Sequence, residues 1–223
     1  MEEERRPWST LPRSAVAVAA PIWLAAVLVL GAAGVFVRPA QEPPIPVLLG
    51  VIIPFAAFLT ALVAWPAFRL TMLSSDPRVL TAMQAWRAAG LVFLALYAEG
   101  ILPGLFAWPA GLGDMAIGVT APWVVAALLR NPDFVGSRTF VLWNLFGVLD
   151  LFVAVTTGAL SSWFAGTGAG TITTAPMARL PLVLIPAFFV PLLLMIHVVA
   201  LLQARQAGSP GRPPSRNAGR GVA

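Results

Sequence analysis

The stretch Ile45–Pro66, IPVLLGVIIPFAAFLTALVAWP, runs for twenty-two residues without a charge. Crossing the hydrocarbon core of a bilayer takes about 20 predominantly apolar residues in a helix. Five further stretches read the same way, so the spans fall at 15–37, 45–66, 83–104, 112–130, 139–160 and 181–203. The composition agrees: 59% of the 223 residues are hydrophobic and 10% are charged, with a mean hydropathy of +0.86. A soluble domain covers its surface with about 25% charged residues. The expected fold is therefore all-α, a polytopic membrane protein built as a bundle of six transmembrane helices. The six spans form one membrane domain over 15–203. Residues 1–14 are a charged cytoplasmic lead-in, and 204–223 a Gly-, Pro-, Ser- and Arg-rich tail expected to be disordered and cytoplasmic.

Arginines set the expected orientation. Lysine is absent, so all 14 basic residues are arginine. An even number of spans puts both termini on one side. Eleven arginines share that side: Arg5, Arg6, Arg13, Arg69, Arg78, Arg130, Arg138, Arg205, Arg212, Arg216 and Arg220. Arg38 and Arg179 lie opposite, and Arg87 falls within the third span. Arginine-rich short loops stay cytoplasmic, which places both termini inside and the protein in the cytoplasmic membrane. The N-terminus begins Met1-Glu2-Glu3-Glu4, and the apolar run after Arg13 is too long for a signal-peptide core, so the first helix is expected to be retained. Net charge is +5. The arginines are spread over short loops rather than gathered on one face, which disfavours nucleic acid and suits anionic lipid headgroups.

Several chemistries have no support. The chain has no cysteine, hence no disulfide or thiolate chemistry. A single histidine cannot supply H-E-x-x-H, and no G-x-S-x-G occurs. The run Gly166-x-Gly168-x-Gly170 continues with Thr171 and follows no strand, so it is read as a flexible outer loop rather than a nucleotide site. No cofactor or metal is expected. Glu99, Asp114 and Asp150 are hard oxygen ligands without tight spacing.

Three helices carry internal pattern. At helical spacing Trp86, Gly90, Phe93, Tyr97, Gly100 and Gly104 share a stripe of small and aromatic residues. The motif Trp86-Arg87-x-x-Gly90 is echoed by Trp143-Asn144-x-x-Gly147 one outward-running span later. Duplication is one account of this echo, and chance in a Trp- and Gly-rich chain is the other. The last span holds Pro181, Pro186 and Pro191 at five-residue intervals, which break backbone hydrogen bonds that neighbours or water must satisfy.

Ionisable groups inside a bilayer are costly and mark function by default. At 1.5 Å per residue, Arg87, Asn144 and His197 sit roughly 6–9 Å from the cytoplasmic edge. Asp150 falls near the midplane, and Glu99 and Asp114 near the outer edge. Each has a plainer reading. Arg87 can snorkel to headgroups, Asn144 can join helices, and His197 can be a packed, hydrogen-bonded histidine. Asp114 can sit at a helix start, and Asp150 can close in a salt bridge with Arg87. The leading expectation is movement of a small solute or protons, with Asp150 as the central titrating group, Glu99 and Asp114 as outer vestibule, and Arg87, Asn144 and His197 as inner vestibule. The alternatives are a structural or assembly protein without transport, and an intramembrane enzyme acting on lipid. No catalytic motif supports the enzyme, so no catalytic activity is expected.

Overall fold

The computed structural model describes residues 13–39, 42–164 and 171–208. It is 83% helix, with no strand among the described residues. The first two helices are α1 (Arg13–Ala32) and α2 (Ile45–Ala64). The chain is extended at Trp65 and restarts with Pro66 at the first position of α3 (Pro66–Leu73), where proline loses no intrahelical bond. The long helices α4 (Pro77–Ala98), α5 (Gly104–Arg130), α6 (Arg138–Trp163) and α7 (Ile185–Ala207) follow.

Five helices are long and apolar enough to cross a membrane: α2, α4, α5, α6 and α7. The sequence reading gave six. The difference is α1, whose apolar part within the searched residues, Val18–Ala32, is shorter than the other five.

Two boundaries differ from expectation, with consequences for the site. The third span was expected at 83–104 but starts at Pro77 and ends at Ala98. Asp76 caps it, its carboxylate accepting from the Arg78 N–H at 2.8 Å, and Pro77 occupies the first helical position. That Asp-Pro pair is a helix start inside what reads as an inner loop. At the other end the turn falls at Glu99–Pro103, with Gly100 at φ +66, a left-handed conformation that glycine adopts without steric cost. The next helix therefore begins at Gly104 rather than 112, and Trp108-Pro109 lies within its first turns. The tail helix runs to Ala207, past the expected 203. The expected lead-in over 1–12, the glycine loop over 165–170 and the disordered tail over 209–223 lie outside the described residues.

Two spans are not regular α-helix throughout. Residues Gln84–Gly90 of α4 form a 3-10 segment, and Ile185–Phe189 of α7 form a π-helical turn closed by the Val190 N–H on the Ile185 carbonyl. The prolines at 186 and 191 remove two N–H donors there, and a wider turn accommodates them.

The last span, α7, is the central post. Its apolar window is 56% buried, against 22–33% for the other four. It packs on α2 and α6, and its π turn on α1 and α2. The 3-10 segment of α4 and the helix α5 make the most extensive helix contact. A run of small buried residues on α5, Ala107, Ala110, Gly111, Gly118 and Ala121, allows this close approach. At Gly118 a Cβ would overlap the Ala88 backbone.

Candidate functional site

The 3-10 segment of α4 carries Arg87 into the middle of the bundle, where its side chain is 1% exposed. Three helices answer it. Nε donates to Asp114 Oδ1 of α5 at 2.7 Å. Nη2 donates to Asp150 Oδ2 of α6 and makes a long contact of 3.4 Å to the Gly147 carbonyl. Nη1 lies 3.0 Å from His197 Nε2 of α7. One guanidinium thus ties α4, α5, α6 and α7 together.

The chain of bonds fixes the histidine tautomer. A guanidinium has donors only, so His197 Nε2 must accept. The proton therefore sits on Nδ1, which donates to Asn144 Oδ1 at 2.9 Å. The Asn144 amide nitrogen in turn donates to the Phe140 carbonyl at 2.9 Å. Trp143 packs edge-to-face with the imidazole at 5.9 Å, while its Nε1 donates to Thr120 Oγ1 at 2.9 Å.

Glycines make the room. A Cβ at Gly90 would overlap Asp114, at Gly113 the Asp150 carboxylate, and at Gly147 the His197 ring. The two echoed motifs, Trp86-Arg87-x-x-Gly90 and Trp143-Asn144-x-x-Gly147, therefore converge: Arg87 and Asn144 hold the two nitrogens of His197, and each glycine forms a notch for a network residue.

Five of the six residues singled out from sequence meet in this network: Arg87, Asp114, Asn144, Asp150 and His197. The sixth, Glu99, is exposed in the turn after α4 and is not part of it. The expected layering does not hold for Asp114. Because α5 starts at Gly104, Asp114 lies roughly 15 Å along its helix and sits beside Arg87 rather than at an outer rim. Arg87 does not snorkel, since its guanidinium is fully engaged in the core.

Charge does not balance in the cluster. One arginine faces two carboxylates, and the histidine bonded as above is neutral. With both acids ionised, one negative charge is left over. The two acids also differ in access. Asp150 is closed against Arg87, with its side chain 5% exposed, and lines neither of the two main cavities. Asp114 keeps 16% of its side chain exposed and lines both. Its Oδ2 accepts no hydrogen bond from the described residues.

The first cavity spans about 840 Å³ with the open space at its mouth included. It runs between α2, α4, α5, α6 and α7 from the end of the bundle bearing Arg38, Glu42, Ser162 and Thr174 down to Asp114. Ser162 and Thr174 share a 2.6 Å hydrogen bond there. The second cavity, about 540 Å³ with open space included, is also lined by Asp114 and lies between the 3-10 segment of α4 and the π turn of α7. Trp86 and Phe189 line it, stacked at 5.6 Å. Nearby on the 3-10 segment, Gln84 is 1% exposed, donates weakly to the Leu193 carbonyl at 3.4 Å, and leaves its Oε1 without a partner among the described residues. Sequence reading passed over Gln84 and both cavities. The small-residue run on α5 was the one available signal, since it marks where helices pack closely.

A protein-family model described as "Domain of unknown function (DUF8737)" matches residues 44–205. The match covers well over half of the chain, so the chain belongs to that family, and every residue of the network lies within it. No curated protein and no solved structure matches the chain.

Proposed function

We propose that this DUF8737 chain moves a small solute or protons across the cytoplasmic membrane, through a path on which Asp114 is the exposed acid. The observation that carries this reading is that Asp114 lines two cavities, with Arg87 on its Oδ1 and no hydrogen bond to Oδ2 from the described residues. A carboxylate one charge in excess, reachable from a cavity, can take up and release a proton or a cation. Asp150 then becomes a fixed partner that holds Arg87, and the central exchanging role expected of it passes to Asp114. The 3-10 and π segments flank the second cavity. Such irregular turns often mark places where a helix changes shape during function.

In this reading α1 is a sixth span, both termini are cytoplasmic, and the first cavity opens outward. The arginines of the cytoplasmic loops face anionic headgroups. Purified protein in vesicles under an imposed pH gradient tests the function. The wild type is expected to move protons or a solute, Asp114→Asn to abolish the flux, and folding of the variant to be checked by its elution profile. A folded wild type that moves nothing across a broad solute panel removes the transport reading.

One observation favours a second reading. Asp150 is sealed in its ion pair, as in a scaffold whose buried polar groups only join helices. A scaffold predicts that Asp114→Asn alters stability alone.

A further inference from the structure

We infer that the cavities lined by Asp114 bind a lipophilic cation, an apolar organic molecule with one positive charge, seated with that charge against Asp114 Oδ2. The inference rests on the transport reading above and names the class of solute it would carry.

Three independent features converge on this class. The first is space. The cavity, about 840 Å³ with the open space at its mouth included, reaches from that mouth down to Asp114. The second is the walls. Phe93, Phe106, Leu151 and Val190 are all buried hydrophobics at the cavity surface, with Phe93 and Phe106 in edge-to-face contact at 5.3 Å. Apolar walls favour an apolar body, and aromatic rings add attraction for a cation. The third is charge. Arg38 and Glu42 at the mouth offset one another. At the floor one guanidinium meets two carboxylates, so with both acids ionised the interior carries one negative charge in excess. An anion of the same shape would meet that excess with no free donor, because Arg87 is already engaged at Nε, Nη1 and Nη2.

Access also fits an amphiphile. The second cavity reaches the flank of the bundle at Trp86, which is 61% exposed. A lipophilic cation concentrates in the bilayer and can enter there, past the stacked Trp86 and Phe189 rings.

Equilibrium dialysis with purified protein in detergent decides it, using tetraphenylphosphonium as probe and tetraphenylborate as its anionic counterpart of like shape. Saturable binding of the cation is expected, with binding of the borate at least tenfold weaker. Asp114→Asn is expected to weaken the cation at least tenfold. Ala154→Phe, which fills the cavity wall without touching the charges, is expected to do the same and serves where Asp114→Asn does not fold. Equal binding of both probes, or wild-type affinity for the cation in a folded variant of either kind, overturns the inference. The transport reading fails separately: a protein that binds the cation but moves nothing in vesicles keeps this site and loses that function, whereas proton flux without cation binding does the reverse.

Discussion

His197 Nε2 and Arg87 Nη1 stand 3.0 Å apart, and the arginine is the donor. A histidine that accepts from a guanidinium carries its own proton on Nδ1, where Asn144 receives it. The neutral Nδ1–H tautomer is therefore the one the tertiary structure selects. Nitrogen-15 spectra of histidine-labelled protein should show a single imidazole with protonated Nδ1 and unprotonated Nε2. An Nε2–H signal would mean that the bond to Arg87 is not formed.

Arg87 is the tie between two carboxylates, so its loss should be severe. Removing one partner of a buried ion pair costs about 3–5 kcal/mol because the other charge is left uncompensated. Arg87→Leu should lower thermal stability in detergent by that order. Adding Asp150→Leu removes one of the two orphaned acids, so the double variant should be more stable than the sum of the single losses implies. Strict additivity would show that the two residues do not interact.

Close approach at glycine sites gives a graded series. A Cβ at Gly118 meets the backbone of Ala88, which cannot rotate away, whereas at Gly147 it meets the His197 ring. Overpacking a well-filled interior costs about 1–3 kcal/mol, occasionally more. Gly118→Ala and Gly147→Ala should both destabilise within or above that range, with Gly118→Ala the worse. Gly208→Ala, whose Cβ would come no nearer than 3.5 Å to another atom, should stay within about 0.5 kcal/mol of wild type, as surface changes usually do. Melting curves that rank Gly208→Ala with the other two would contradict the packing described.

Orientation can be read with a reporter enzyme active only outside the cytoplasm. Fused after Gly100, in the turn between α4 and α5, it should be active. Fused after Ser75 or Asp133, at the opposite end of the bundle, it should be silent. Activity at either of the last two sites reverses the proposed sidedness.

Much of this was legible in the chain. Apolar runs of bilayer length fixed the class and the rough position of the long helices, because a helix crossing the hydrocarbon core needs about 20 predominantly apolar residues. The same pattern picked out Arg87, Asp114, Asn144, Asp150 and His197, since few polar groups stand inside such runs and each is conspicuous. Boundaries were less legible: the Asp76-Pro77 start and the Gly100 turn are local signals a few residues wide, and hydropathy averages over them. Missing them displaced Asp114 from the middle of its helix to its edge.

Which groups touch is a different matter. Arg87 and His197 are separated by 110 positions, and Arg87 and Asp150 by 63. Depth along a helix can be counted from the sequence, but rotation about its axis and the choice of neighbour depend on how several helices pack at once. The 3-10 segment of α4 and the glycine notches of α5 and α6 set those rotations. Tertiary packing alone decided that Asp150 is closed against Arg87 while Asp114 opens to the cavities, because burial of a side chain is a property of the atoms around it and not of its place in the chain.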